Sequence, residues 1–88
     1  MQETDEIEQG LMTVVYDSNR PKLRSVLLVI QHEFNEIIRA SFDSRLNDKH
    51  SVEVIVLRGN GSRFQPLTER LISQKGVMSV ELRPLQAG

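Results

Sequence analysis

The chain has 88 residues, of which 39% are hydrophobic, and twelve acidic residues against eleven Lys and Arg give it a net charge of -1. This length allows one domain near the lower limit for a stable single core, so we expect association to add buried surface. The chain has no cysteine, which excludes disulfides, thiolate metal ligands and cysteine nucleophiles. No segment approaches the roughly 20 apolar residues of a membrane span, and the acidic N-terminus does not resemble a signal peptide. We therefore predict a cytoplasmic protein that does not enter a membrane.

The first nine residues are strongly acidic. They contain Glu3, Asp5, Glu6 and Glu8 and no basic residue, which predicts a flexible tail over residues 1–9 and a single domain over residues 10–88. Without the tail, eight acids face eleven bases, a net charge of about +3. These bases are dispersed along the sequence, so no basic patch indicates DNA binding.

The first predicted elements are a strand and an amphipathic helix. Leu11 to Tyr16 is apolar on both faces, as in a buried strand. Asp17-Ser18-Asn19 supplies turn chemistry, and Pro21 fits the first turn of a helix. Leu28 and Val29 lie off the core-facing stripe, which indicates partial exposure, a wider buried face or a contact with a neighbouring subunit. The core-facing stripe of this helix consists of Leu23, Val26, Leu27, Ile30 and Phe34.

Two further strands follow, joined by the polar turn Asn47 to His50 as an antiparallel hairpin. The run Ser51–Gly59 is the densest β-branched segment and the predicted central strand. On it Val52, Val54 and Val56 share one face, while Ser51, Glu53, Ile55 and Leu57 share the other. We expect this second, mixed face to lie away from the helices, to be covered by another copy of the chain and to carry function. The preceding strand, within residues 37–46, alternates between Ile38, Ala40, Phe42 and Leu46 on one face and Arg39, Ser41, Asp43 and Arg45 on the other.

A second helix and a last strand complete the pattern. Gly59–Ser62 opens the helix, and Pro66 requires either a later start or an irregular first turn. We expect Lys75-Gly76 to close the helix and Pro84 to end the strand Val77–Leu82. The inward-facing residues of the helix are Phe64, Leu67, Leu71 and Ile72. The order β-α-β-β-α-β predicts an α+β, ferredoxin-like fold with a four-stranded antiparallel sheet and two helices on one face.

The sequence contains little that indicates an enzyme. It has no Ser/His/Asp order within a supporting motif and no carboxylate pair in a recognisable catalytic setting. Gly59-Asn60-Gly61 lacks the further glycine and the lysine of a phosphate-binding loop. We therefore predict that the protein is not an enzyme.

Several segments resemble the C-terminal regulatory domain of the nickel-responsive transcriptional regulators, an ACT-like domain. They are Val15–Asp17, Gln31–Glu33, Val52–Gly59, and Glu69–Ile72 followed by Gly76-Val77. The resemblance covers about Gly10 to Leu85. It implies an ACT-like fold, association into dimers or tetramers through the sheet face, and a metal site shared between subunits.

The family's metal ligands are largely replaced in this sequence. They are a histidine after a glutamine near the end of the first helix, a His-x-His pair on the second strand, and a cysteine opening the third. The corresponding residues are His32, then Asp43 and Arg45, then Ser51. Only His32 is retained, and the Arg45 guanidinium would repel a cation. We expect no high-affinity nickel site and no cofactor.

The replaced site leaves several functions open. The family's DNA-binding domain has no counterpart in the nine residues before Gly10, so we expect no direct DNA binding and regulation through a small-molecule effector or a protein partner. The candidate ligand or interface residues are His32, Arg39, Asp43, Arg45, Ser51 and Glu53, whose arginines suit a carboxylate or phosphate. Interfacial ion pairs and a structural histidine are the alternative.

The favoured function is a stand-alone ACT-like regulatory or ligand-sensing domain. One alternative is similarity to the short ACT-like proteins proposed as regulators of iron-only hydrogenase systems. A second alternative is a purely structural oligomerisation module. His50 is a possible substitute metal ligand, but strand alternation places it away from Ser51.

Overall fold

The structure is a computed structural model that describes residues 7–85. The four strands form an antiparallel sheet in the order β2-β3-β1-β4. The predicted ferredoxin-like order and the central position of β3 are confirmed. The elements are β1 (Ile7–Asp17), α1 (Leu23–Glu33), β2 (Ile38–Arg45), β3 (His50–Asn60), α2 (Phe64–Ile72) and β4 (Val77–Leu85). Neither of these helices is long and apolar enough to cross a membrane.

The helices cover the opposite face of β3 from the one that the sequence suggested. Ile55 and Leu57 are fully buried in the core, whereas Val52, Val54 and Val56 are only half-buried on the open face of the sheet. Both faces of β3 are apolar, so alternation alone could not decide which face meets the helices. The larger Ile and Leu side chains fill the space beneath α1 and α2, and the buried Ser51 and Glu53 share that side.

The predicted alternation of β2 holds from Ala40 to Arg45, but a bulge puts Ile38 on the opposite face from Ala40 and Phe42. Ile38 opposes Leu57 on the helix side, but Ala40 opposes Val56 on the open side, so Arg39 is an extra residue between them. Phe42 therefore lies on the open face and is 57% exposed. The polar residues Ser41, Asp43 and Arg45 consequently lie on the helix side of the sheet.

Most of the residues predicted to face the core from the first helix are buried. Leu23, Leu27, Ile30 and Phe34 are buried, but Val26 is 37% exposed and does not belong to the core. Leu28 and Val29 point outward and are exposed. The helix begins after Lys22, whose φ of 68° lies in the left-handed region. The start of α1 therefore differs from the capped start that Pro21 suggested.

The second helix has the irregular start that Pro66 requires. A short 3₁₀ turn at Gly61–Arg63 precedes α2, and the Asn60 side chain accepts a hydrogen bond from the Ser62 amide at 2.9 Å. Phe64, Leu67 and Leu71 are buried as predicted. Ile72 was expected to face inward, but as the last helical residue it is 45% exposed.

Three predicted boundaries are corrected. Residues 7–9, assigned to the tail, belong to β1 and pair with β3, while residues 1–6 of the predicted tail lie outside the described residues. Pro84 lies within β4, which tolerates proline because it is an edge strand. The helix α2 ends at Ile72, before Lys75-Gly76. Gly76, with a φ of 94°, sits in the following turn, where its carbonyl accepts the Asp17 amide.

Candidate functional site

A cleft of about 490 Å³ lies on the helix side of the sheet, where β1 ends and α1 begins. We call it the polar cleft. Three residues singled out from the sequence, Asp43, Arg45 and Ser51, line it. Its other lining residues are Tyr16, Asp17, Ser18, Asn19, Arg20, Pro21, Lys22, Arg24 and Ser25.

Asp43 is held by two neighbours in this cleft. The Tyr16 hydroxyl lies 3.0 Å from each carboxylate oxygen of Asp43 and donates its proton to them. The Arg24 guanidinium forms an ion pair with the same carboxylate. The Asp43 side chain is 21% exposed and that of Arg24 is 46% exposed. A charge-assisted hydrogen bond and an ion pair thus already occupy this carboxylate.

Glu53 is a second carboxylate beside Asp43. The two residues oppose each other on β2 and β3, and the Glu53 side chain is 1% exposed. The Oε1 atom of Glu53 lies 3.9 Å from Arg24 Nε and has no hydrogen-bond partner within residues 7–85. Like charges directly opposite each other destabilise a sheet. Arg24 therefore neutralises a pair of carboxylates that would otherwise repel.

The other two lining positions also have partners within the chain. The Ser51 and Ser18 hydroxyls are 2.8 Å apart, and either can be the donor. Arg45 Nη1 donates to the carbonyl of Asp48 at 3.2 Å, which turns the guanidinium over the β2–β3 turn. The serine contact connects β3 to the loop that leads into α1, and the Arg45 contact stays within the β2–β3 hairpin.

His32 and Arg39 are not part of the polar cleft. His32 is exposed near the end of α1, eight residues beyond Arg24 and about 12 Å further along the helix. Arg39 is exposed at the bulge of β2. His50 is the first residue of β3, and its Nδ1 is 3.1 Å from Asn47 Oδ1 in the preceding turn. Among residues 7–85, no group of three or more His, Cys, Asp or Glu could hold a metal ion.

Sequence reasoning missed Arg24, Tyr16 and Ser18. Tyr16 and Arg24 contact Asp43 only when β1, α1 and β2 pack together, because Asp43 is distant from both in sequence. A basic residue in the first turn of a helix was the available signal, since it opposes the helix dipole and needs a compensating acid.

The open face of the sheet is a second candidate surface. Three cross-strand rows place apolar side chains at its centre, with Val54 between Phe42 and Thr13 in the middle row. Glu81 and Arg83 lie at the β4 edge of the rows. We call this surface the open sheet face; its apolar residues are Leu11, Val15, Ala40, Phe42, Val52, Val54 and Val56.

The architecture is that of an ACT-like domain. The ACT domain of a GTP pyrophosphokinase from Chlorobium tepidum superposes with a TM-score of 0.72 at 14% identity, covering 88% of this chain and 99% of that one. An uncharacterized protein from Thermotoga maritima gives a TM-score of 0.82 at 22% identity, covering 92% and 100%. Both likenesses concern the fold alone.

The family follows from the sequence match. The model of the NikR C terminal nickel binding domain matches residues 9–84, and the chain belongs to this family. A predicted nickel-responsive regulator of Methanococcus vannielii is 35% identical over 79 residues, which are 90% of this chain and 56% of that protein. One from Nitratidesulfovibrio vulgaris (strain DP4) is 40% identical over 76 residues, 86% and 55% of the two chains. The chain spans about half the length of these relatives. The expected resemblance is confirmed.

Proposed function

We propose that this ACT-like regulatory domain senses a ligand through the polar cleft and has largely lost the nickel site of its family. The observation that carries the proposal is the state of Asp43, which occupies a family ligand position and is engaged by Arg24 and Tyr16. A carboxylate held in this way is neutralised from within the chain. An internal ion pair thus stands where the resemblance implies a metal–ligand bond.

The donor set at the four family positions does not fit nickel. Nickel in a square-planar site favours imidazole and thiolate donors. Here a carboxylate, a guanidinium that stays protonated and a hydroxyl stand at three of the positions. The fourth, His32, lies about 12 Å along α1 from Arg24, so it would have to come from a second copy of the chain.

We further propose that the chain forms a dimer or tetramer through the open sheet face. This surface exposes Phe42 together with a central strip of valines. A contiguous apolar patch of this kind marks an interface in soluble proteins. The sequence predicted an interface on the mixed face of β3, but the chain's own helices cover that face. The proposed interface therefore lies on the opposite face of the sheet.

Two alternatives remain as further proposals. One is a regulator of an iron-only hydrogenase system that acts through a protein partner; the other is a purely structural oligomerisation module. The engaged state of Asp43 and Ser51 supports the structural module, because Tyr16 and Ser18 already provide their hydrogen bonds. Exchanging Arg45→Ala separates the roles: a sensing role predicts a ligand response that the variant loses with assembly retained, and a purely structural role predicts no ligand response in either protein.

The relatives are named as regulators, and we propose no catalytic role, no direct DNA binding by this chain and a cytoplasmic location.

The direct test of the lost nickel site is a calorimetric titration of the purified protein with Ni²⁺. We expect no submicromolar, stoichiometric binding. Binding of that strength at one ion per chain would contradict the proposal.

A further inference from the structure

We infer that the polar cleft binds a small oxyanion carrying two negative charges, either a phosphate group or a dicarboxylate. This inference rests on the proposed ligand-sensing role and names the class of ligand. The balance of charge in the cleft is its first support. Four basic side chains line the cleft against two acidic ones: Arg20, Lys22, Arg24 and Arg45 against Asp17 and Asp43. When the buried Glu53 carboxylate, 3.9 Å from Arg24, is also counted, the cleft has an excess of one positive charge.

Two of these bases have no partner within the described chain. Neither Arg20 nor Lys22 forms a side-chain hydrogen bond or an ion pair among residues 7–85. The nearby Asp17 carboxylate accepts the Asn19 amide at 2.8 Å, within the same loop. Unpaired cations beside a concave surface attract an anion more strongly than they would on an open surface.

The start of α1 adds backbone donors to this charge. The helix has eleven residues, its first turn contains no acidic residue, and no side chain caps it. Arg24 and Ser25, both in that turn, line the cleft. The first amides of a helix lack intrahelical acceptors and carry partial positive charge. An oxyanion in the cleft would supply the acceptor that the sequence omits.

The hydroxyl pair supplies a neutral donor. Ser18 and Ser51 share one hydrogen bond of 2.8 Å, and each hydroxyl carries one proton. One proton of the pair is therefore left to donate to a ligand. Arg45 likewise contacts the turn carbonyls through Nη1 alone, so its other guanidinium N–H groups remain available for a planar or tetrahedral oxyanion.

The test is an NMR titration of ¹⁵N-labelled protein with inorganic phosphate and, separately, with malonate, at constant ionic strength. We expect saturable shifts of the Ser18, Arg24 and Ser25 amides with at least one of the two anions. Saturation with phosphate alone identifies a tetrahedral oxyanion, and saturation with malonate alone a dicarboxylate; either supports the inference. Shifts that saturate with neither anion, or that spread over the whole surface, would overturn it.

The decisive variant is the double substitution Arg20→Gln with Lys22→Asn. Asparagine tolerates the left-handed backbone at position 22, and neither side chain has a partner to lose. The dissociation constant should rise on the order of tenfold or more, as expected for losing charge-assisted contacts. Arg39→Gln removes a charge outside the cleft and should leave it unchanged. Equal weakening by both variants would mean nonspecific attraction and would overturn the inference.

A Ni²⁺ titration of the same samples separates this inference from the proposed function. Saturable anion binding tests the oxyanion site independently of the result with nickel. Submicromolar nickel binding would refute the loss of the metal site without bearing on the anion result.

Discussion

Asp43 and Glu53 lie directly opposite each other on neighbouring strands, and both carboxylates are on the side of the sheet that the helices cover. Arg24 reaches both from the first turn of α1. Two like charges in this position need a cation nearby, because burial in low dielectric strengthens their repulsion. In this chain Arg24 provides that cation, and its partner Asp43 stands at a position where the family resemblance implies a metal ligand.

The first prediction concerns the stabilising role of Arg24. Replacing Arg24→Gln leaves the two carboxylates without their shared cation and should lower the free energy of unfolding by about 1–3 kcal/mol, since Arg24 is half exposed and solvent screens part of the interaction. Urea denaturation at neutral pH measures this change. Adding Glu53→Gln should recover part of the loss by removing the repulsion. An unchanged urea midpoint in Arg24→Gln would contradict this role.

The second prediction compares two adjacent leucines of α1. Leu27 is 1% exposed and Leu28 is 46% exposed, so the pair matches in chemistry and differs in burial. Leu27→Ala should cost about 2–5 kcal/mol of unfolding free energy, as cavity-forming core substitutions do, and Leu28→Ala less than about 1 kcal/mol. Denaturation at several protein concentrations provides the measurement. A large, concentration-dependent cost at Leu28 would instead indicate that α1 contacts a neighbouring subunit.

The third prediction locates the interface between copies. Val54 lies at the centre of the open sheet face, paired with Phe42 and Thr13. A Val54→Glu substitution should shift the protein to monomers, because a charge would be buried without a partner. Light scattering coupled to size exclusion reports the mass. Val29→Glu, on the exposed side of α1, is the matched control and should leave assembly intact. The opposite pattern would place the interface on the helix.

The fourth prediction concerns an exposed ion pair. Arg63 Nε donates to Glu36 Oε2 at 2.8 Å, and this hydrogen bond holds the pKa of the Glu36 carboxyl below its ordinary value. A folded-state pKa below the unfolded one stabilises the fold above the unfolded pKa, and this contribution disappears as the pH falls through the folded pKa. Arg63→Ala should therefore raise the pKa of Glu36 toward its ordinary value in a ¹³C NMR pH titration. An unchanged titration curve would show that Arg63 does not cause the shift.

The fifth prediction restores the family's ligand set. The combined substitutions Asp43→His, Arg45→His and Ser51→Cys supply the imidazole and thiolate donors that nickel favours. We expect the triple variant to gain nickel affinity, and further addition of His32→Ala to weaken it. Calorimetry at concentrations that preserve assembly is required, because His32 is distant from the other three positions within one chain. No gain in nickel affinity would show that these four positions were aligned wrongly.

Sequence periodicity predicted the order of elements and most of the core. The stripe of Leu23, Leu27 and Ile30 has a helical period, and such a pattern depends only on local geometry. The covered face of β3 was not predictable, because both of its faces are apolar. The bulge at Arg39 was also missed, and one inserted residue exchanged the faces of the strand beyond it.

The candidate site was predicted in part. Asp43, Arg45 and Ser51 do come together in one cleft, since they belong to a hairpin whose register the turn sets. Arg24 was missed because its contacts with Asp43 and Glu53 join residues far apart in sequence. Contacts of that kind depend on how the helix lies on the sheet.

The central claim is that this domain assembles without the nickel site of its family. Native mass spectrometry of the purified protein, recorded with and without added Ni²⁺, tests it most directly because it reports subunit number and bound metal together. The account predicts a dimer or tetramer whose mass does not change with nickel. An oligomer that binds one nickel ion per chain would contradict it.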